Sequence, residues 1–145
     1  MSTVFEHILV PYNGTSGSDK SFRKAISIAS LANSKVTILT CLEERHSFGF
    51  FKTKTSKQEF EKEKEVVEKQ QKILEKFASD HGIACKSKIV KSGFASEGII
   101  EFAKKQNVDL IIMAKTKISS RYEKMHYQST IENVLRNAVC PTLVL

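Results

Sequence analysis

Apolar and polar residues alternate along this chain in a pattern that predicts strands and helices in regular succession. Residues 7–12 form a short apolar run bounded by turn residues, which is typical of a buried strand. Residues 16–30 carry apolar side chains at helical spacing, and Ser16 or Ser18 is the expected N-cap. Residues 35–42 are rich in β-branched side chains and predict a second strand.

A long amphipathic helix is predicted after the second strand. Ser56 and Glu59 have the spacing of a capping box, in which each side chain accepts a hydrogen bond from the other residue's backbone amide. The helix is expected to run to about His81, because Gly82 is a good terminator. Its inner stripe is expected to consist of Val66, Val67, Gln70, Ile73, Leu74 and Phe77.

The remaining segments continue the alternation of strand and helix. Residues 83–90 alternate weakly between polar and apolar, which suits an edge strand. Residues 96–106 predict a helix, residues 108–113 a fully covered strand, and residues 140–145 the last strand. A second capping box, residues 129–132, predicts where the last helix begins.

This order of elements predicts an α/β fold with a single open sheet of five parallel strands in the order 3-2-1-4-5 and helices on both faces. A chain of 145 residues fits one domain, residues 1–145. Ligands of such sheets bind beyond the carboxyl ends of the strands, where the strand order reverses. We therefore expect residues 11–15 and 113–130 to face the binding crevice.

Composition narrows the classes of function. The chain has 41% hydrophobic and 27% charged residues, and no run approaches the roughly 20 apolar residues that cross a membrane. Its three cysteines have no close pair and its four histidines are scattered, so we expect neither disulfides nor a metal site. No catalytic triad or paired carboxylate is recognisable, so we do not expect an enzyme. The first residues lack a basic, cleavable leader pattern, so a cytoplasmic location is expected.

The formal net charge of +7 does not by itself predict binding to nucleic acid, because most lysines alternate with glutamates as on a solvated helix face. The locally basic stretch is residues 115–124, which we expect to meet an anion. Its cations are Lys115, Lys117, Arg121 and Lys124, opposed by Glu123 alone.

Four segments of the chain resemble the universal stress protein family. Residues 8–15 read Ile-Leu-Val-Pro-Tyr-Asn-Gly-Thr, where the family has Val-Pro-x-Asp-Gly-Ser. Residues 109–114 read Asp-Leu-Ile-Ile-Met-Ala, where the family has Asp-Leu-Ile-Val-Met-Gly. Residues 129–136 and 140–145 resemble the family's Ser-Val-x-Glu-x-Val-Leu-Arg and Cys-Pro-Val-Leu-Val. The resemblance covers essentially the whole chain and implies an adenine nucleotide alpha hydrolase-like fold.

The chain departs from this family where the ATP-binding members carry glycines. Those members have Gly-x-x-Gly, about nine further residues, then Gly-Ser or Gly-Thr, and the glycines let backbone amides approach phosphates. Here Ala114, Lys117 and Gln128 stand at the three glycines, and the stretch is one residue longer. Asn13 stands at the aspartate that binds base or ribose. The resemblance places the rest of a nucleotide pocket at Pro11, Cys41, Met113, Ser129 and Thr130.

Two functions follow from this departure. In the first, the chain is a dimeric cytoplasmic stress-response or signalling module that does not bind ATP in the family's usual way. The reason is that replacing a glycine at positive φ costs about 1 kcal/mol per site. In the second, Lys115, Lys117 and their basic neighbours replace amide contacts by charge. AMP, ATP or cyclic AMP would then dock at the helix opened by Ser129.

Several of these residues have an alternative structural role. Asn13 is equally expected to be a turn residue beside Gly14. Met113 fits the core, and the capping box explains Ser129 without any ligand. No cationic neighbour on its strand lowers the pKa of Cys41, so we expect an unreactive thiol there.

The last strand carries an edge that another chain is expected to cover, formed by Thr142, Leu143, Val144 and Leu145. Family members pair their last strands across a two-fold axis, so the resemblance implies a homodimer. The aromatic loop of residues 45–55 either docks a protein partner, closes over the crevice as a flap, or packs its phenylalanines on the long helix. We expect neither a membrane nor a nucleic acid as partner.

Overall fold

A computed structural model describes residues 4–43, 57–115 and 121–145 of the chain, excluding the side chains of residues 121–124 and 127. The elements are β1 (His7–Pro11), α1 (Ser16–Ala32), β2 (Lys35–Glu43), α2 (Lys57–Asp80), β3 (Cys85–Ser92), α3 (Ala95–Lys105), β4 (Leu110–Met113), α4 (Arg121–Asn137) and β5 (Thr142–Val144).

The strands form a five-stranded sheet in the order β3-β2-β1-β4-β5, and every neighbouring pair is parallel. This confirms the predicted fold class and strand order. Strand β3 lies at one edge, as predicted, with Lys86 and Lys88 exposed and the intervening Ser87 half-buried.

The core lies in two layers because successive side chains of a strand point to opposite faces of the sheet. On one face Ile8 and Val10 of β1 pack with Phe22 of α1 and Ala78 of α2. On the other face Leu9 belongs to the layer that also contains residues of α3 and α4. Central strands covered on both sides are mostly apolar, which explains their hydrophobic runs.

Helix α1 begins at Ser16, as predicted, but its N-cap lies one residue earlier than the first predicted cap. The N-cap is Thr15, whose side chain accepts from the backbone N–H of Ser18 at 3.2 Å, so the prediction of Ser16 or Ser18 was wrong. Ser18 instead donates its hydroxyl to the carbonyl of Thr15 at 2.9 Å. Ser18 therefore takes part in the cap as a donor, through its backbone N–H and its hydroxyl.

Helix α2 was predicted correctly in extent but not in orientation. It ends at Asp80, and Gly82 has the positive φ of 71° expected after a helix. The predicted core residues Val66 and Ile73 are exposed, at 57% and 70%. Ser56, the first residue of the predicted capping box, lies outside the described residues.

The buried face of α2 is rotated away from the predicted one. Gln71 and Ala78 are its buried residues, and Val67 and Leu74 are half-buried at the same helical spacing. Gln71 can be buried because its amide donates to Thr40 Oγ1 at 3.3 Å and to the carbonyl of Lys88 at 3.1 Å. Periodicity could not anticipate a buried glutamine whose hydrogen-bond partners belong to distant strands.

Helix α4 begins at Arg121, so the prediction that it opens at Ser129 was wrong. Ser129 lies on the third turn. Gln128 donates from Nε2 to Glu132 Oε1 at 3.4 Å, an i,i+4 contact on the helix surface. The capping-box pattern is short enough to occur inside a helix, where the amides it would cap are already bonded along the backbone.

Candidate functional site

The strand order places the switch point at the carboxyl ends of β1 and β4, where the sequence predicts a binding crevice. Chain segments leave these neighbouring strands toward opposite faces, since α1 covers one face and α4 the other. The register pairs Ile8 with Leu110 and Leu9 with Ile111, so Pro11 and Met113 each lie two residues beyond the last paired position, at the same end of the sheet. Of these two predicted site residues, Met113 is a buried core residue at 8% exposure.

The turn after β1 is held by Asn13. Its Oδ1 accepts from the backbone N–H of Thr15 at 3.2 Å and from the Thr15 hydroxyl at 2.6 Å. Gly14 follows with φ of 79°, and a Cβ there would approach Gln70 Nε2 to 3.1 Å. The structural role expected for Asn13 is confirmed, and its oxygen is occupied within the turn.

A chain of hydrogen bonds fixes this turn to the rest of the sheet. Thr40 donates its hydroxyl to the carbonyl of Tyr12 at 2.9 Å, and Thr40 in turn accepts from Gln71 on α2. The Tyr12 hydroxyl donates to Asp19 Oδ1 at 2.6 Å. Burial, followed by the Asp19 carboxylate, raises the pKa of Tyr12, so it stays a neutral donor. Hydrogen bonds from β2 and to α1 therefore hold the residue that precedes the turn.

Cys41 of β2 also lies at the carboxyl edge, where it is half-buried and tightly packed. A Cβ on Gly98 of α3 would stand only 2.9 Å from Cys41 Sγ. Burial, with a smaller contribution from the Glu43 carboxylate, raises the pKa of Cys41 to about 12. The thiol is therefore protonated at neutral pH, and the expectation of an unreactive cysteine is supported.

A contact that sequence reasoning missed crosses the mouth of the crevice. Nε2 of His126 on α4 lies 2.9 Å from Oε1 of Glu43, the last residue of β2. Since β1 lies between β2 and β4, this contact joins α4 to the far side of the switch point. Glu43 could have been found by the rule that located Pro11, because it too ends a strand at the carboxyl edge.

Ala114 stands where the ATP-binding members have their first glycine, directly beside the sheet. Ala114 follows β4 and is half-buried. The backbone N–H of the exposed Lys115 donates to the carbonyl of Leu145 at 3.1 Å. That amide extends the β4–β5 pairing and does not point to a phosphate. Lys117, at the second glycine, lies outside the described residues.

The residues at the third glycine and beyond lie inside α4. Gln128 and Ser129 are exposed, and Thr130 bonds its hydroxyl to the His126 carbonyl at 3.1 Å. Backbone amides beyond the first turn of a helix donate to carbonyls four residues earlier. The amides of residues 128–130 are consequently engaged within the helix, and a phosphate cradle cannot form from them in this conformation.

Neither a metal site nor a membrane-spanning helix is found in the described part of the chain. Within residues 4–43, 57–115 and 121–145, no three His, Cys, Asp or Glu side chains stand together as a metal site would require. Over the same ranges, none of the helices has the length and hydrophobicity to span a bilayer. All three cysteines are free thiols.

Comparison with known proteins agrees with the motifs and the fold. The model of the universal stress protein family matches residues 5–145. The chain belongs to this family. A relative of known family, the universal stress protein MJ0531 of Methanocaldococcus jannaschii, is 28% identical over 142 residues, which cover 98% of this chain and 82% of the relative.

Solved structures, universal stress proteins among them, have the same architecture. The protein MJ0577 superposes with a TM-score of 0.74 at 23% identity, covering 97% of this chain and 94% of that one. A universal stress protein in complex with cAMP gives 0.72 at 17% identity, covering 99% and 98%. One from Archaeoglobus fulgidus in complex with dAMP gives 0.68 at 15% identity, covering 97% and 98%. At these identities the likeness shows the fold.

Proposed function

We propose that this universal stress protein acts as a dimeric stress-response or signalling module in the cytoplasm and does not bind ATP through the family's glycine loop. The observation that carries the proposal is the course of α4, which is helical from Arg121 to Asn137. Its backbone amides at residues 128–130 are bonded within the helix. Without glycines at Ala114 and Gln128, the segment has neither the free amides nor the backbone freedom that a triphosphate needs.

The cytoplasmic part of the proposal rests on cysteine chemistry. Cys41, Cys85 and Cys140 are all free thiols, and burial raises the pKa of each. Free cysteines in a chain without disulfides are typical of a reducing compartment.

The dimeric part rests on the edge of the sheet. Strand β5 has no neighbour on its outer side in the described chain. Leu143 on this strand is 36% exposed, and Val139 just before it is 62% exposed. An uncovered parallel edge with apolar side chains is a surface that a second chain can pair with.

A second candidate is a nucleotide-binding protein that holds AMP, ATP or cyclic AMP through the basic stretch 115–124. It is favoured by the cAMP and dAMP complexes of proteins with this fold. The exposed Lys115 stands at the carboxyl edge where such a ligand would meet it. Against it, the helix N-terminus that was expected at Ser129 is absent from that position.

Isothermal titration calorimetry against ATP, ADP, AMP and cyclic AMP, with and without magnesium, separates the two candidates. The protein should first be freed of any co-purified ligand. The proposed module predicts no saturable heat with ATP. Saturable binding that weakens in Lys115→Ala or Lys117→Ala, but not in Lys104→Ala on α3, would establish the nucleotide-binding candidate instead.

A further inference from the structure

Helix α2 carries an apolar stripe on its solvent side that the described part of the chain covers only at one end, where Phe77 contacts Phe22 and His81. Val66 is 57% exposed, Ile73 is 70% exposed and Phe77 is 40% exposed. At 3.6 residues per turn, these three side chains project within about 40° of one another around the helix axis. They form one continuous line along almost three turns.

Lysines flank this stripe on one side. Lys69, Lys72 and Lys76 are all exposed, and they lie between about 60° and 120° from Val66 around the axis. Between Val66 and Phe77 the acidic residues are Glu68 and Glu75, which lie about 160° to 180° from Val66, on the other side of the helix. Just outside this segment, the exposed Glu65 and Asp80 lie on the lysine side. The outward face between Val66 and Phe77 is therefore apolar and cationic.

Contacts on other sides of α2 hold this stripe in place. Phe77 packs edge-on against Phe22 of α1, with ring centroids 5.9 Å apart, and the opposite side of α2 is anchored by the buried Gln71 and Ala78. Lys76 contacts Asp80 at 3.1 Å, but both side chains are more than half exposed, so this ion pair is weak and easily exchanged.

We propose that the α2 patch, formed by Val66, Ile73, Phe77 and the lysines 69, 72 and 76, docks on an anionic lipid surface. Lysines beside an apolar line are the arrangement of interfacial helices, in which the apolar side chains enter the headgroup boundary. The lysine stems extend along apolar surface while their ammonium groups reach lipid phosphates. The side chains project from a convex helix, which suits a flat surface, and the net charge of +7 adds long-range attraction.

Co-sedimentation of the full-length protein with vesicles tests this proposal. Vesicles of phosphatidylcholine and phosphatidylserine should bind the protein, and binding should fall steeply with salt, whereas phosphatidylcholine vesicles should not bind it. Failure to bind the serine-containing vesicles at low salt would overturn the proposal.

Two matched triple variants distinguish binding through the α2 patch from general attraction by the net charge. Lys69→Gln, Lys72→Gln and Lys76→Gln together should weaken binding on the order of a hundredfold, at about fivefold per lysine. Lys104→Gln, Lys105→Gln and Arg136→Gln remove the same charge from α3 and α4, on the opposite face, and should leave binding within about threefold of wild type. Equal losses in both variants would show that net charge alone attracts the vesicles, and would overturn the site.

A fluorescent reporter tests insertion directly, because the chain has no tryptophan. Ile73→Trp should show a blue shift of emission with serine-containing vesicles, whereas the control Leu135→Trp, at an exposed position on α4, should not. An unshifted Trp at position 73 would contradict insertion.

A second copy and an acidic protein are the competing occupants. A lower oligomeric mass for the double variant Val66→Ser and Ile73→Ser would assign the stripe to a second copy.

Discussion

Buried polar side chains at the amino end of the sheet are held by bonds that only the folded chain provides. His7 lies at 6% exposure, with Nε2 2.7 Å from Thr37 Oγ1 and Nδ1 3.2 Å from the carbonyl of Gln106. Because a carbonyl can only accept, Nδ1 carries the proton, and Nε2 of the neutral ring then accepts from the Thr37 hydroxyl. Burial lowers the pKa of His7, and the charge of Lys35 adds to this effect.

The first prediction concerns the pH dependence of stability. The pKa of His7 is lower in the folded than in the unfolded chain, so the unfolded chain takes up its proton first as pH falls. The contribution of neutral His7 is complete above about pH 6.5 and is lost as pH falls through the folded-state pKa. Tm measured between neutral and mildly acidic pH should fall more for wild type than for His7→Gln. Parallel pH profiles for the two proteins would contradict this account.

Asp109 is the second residue whose role the fold reveals. Its carboxylate accepts from the backbone N–H of Glu6 at 2.8 Å and from that of His7 at 2.9 Å, and so holds the start of β1 beside β4. Asp109→Ala should lower the free energy of unfolding by about 1–3 kcal/mol, measured by urea denaturation. Asp80→Ala, which removes an exposed ion pair with Lys76, is the control and should change it by less than about 1 kcal/mol. Equal effects of the two substitutions would rule out a special role for Asp109.

Helix α2 shows that the extent of a helix and the direction of its buried face are set by different forces. Its extent follows from local propensity and the terminating Gly82, both of which are local in sequence. Its orientation depends on what Gln71 and Ala78 meet on β2 and β3, which no local pattern contains. The stripe that contains Ile73 has the apolar spacing of a buried face, although it faces solvent.

A pair of substitutions tests this orientation. Gln71→Ala should lower the free energy of unfolding by about 1–3 kcal/mol, because it leaves the Lys88 carbonyl and the Thr40 hydroxyl without their α2 partner. Ile73→Ala should change it by only about 0.5 kcal/mol, since the side chain is exposed. Chemical denaturation of both variants decides between this orientation and the one predicted from periodicity, for which Ile73→Ala would be the more damaging change.

The start of helix α4 likewise differs from the local pattern, and this affects where an anion could bind. The pattern from Ser129 to Glu132 fits a capping box, but the helix has already run for eight residues when it reaches Ser129. Moving the start of a helix moves its unbonded amides, and with them any anion site. The contact between His126 and Glu43 depends on this earlier start, because His126 would otherwise precede the helix.

At the scale of the whole molecule, the outward backbone groups of the sheet edge formed by β5 can be identified. Leu145 donates its N–H to Met113 at 2.9 Å and accepts from Lys115 at 3.1 Å, so both of its backbone groups face β4. Backbone groups alternate between the two sides of a strand, so those of Val144 face outward from the sheet. A partner strand would bond to Val144 and Thr142.

Val144→Pro therefore tests the proposed dimer. Proline removes the outward N–H and blocks edge pairing, while the bonds of Leu145 to β4 are kept. Light scattering coupled to size-exclusion chromatography should give a dimer for wild type and the monomer mass of 16.3 kDa for the variant. Circular dichroism checks that the variant is folded. A folded variant that remains dimeric would place the dimer contact elsewhere on the molecule.

The sequence by itself determined the succession of elements and the parallel sheet that they form. These follow from periodicity, turn residues and the handedness of crossovers, which act over short stretches of chain. The expected strand order, 3-2-1-4-5, is also the one observed. The sequence also determined that Ala114 and Gln128 stand where a phosphate loop needs glycine. Only the tertiary structure decided which face of α2 is buried, where α4 begins, and that Glu43 meets His126. Each of these depends on contacts between residues far apart in sequence, whose hydrogen bonds and burial exist only once the sheet has assembled.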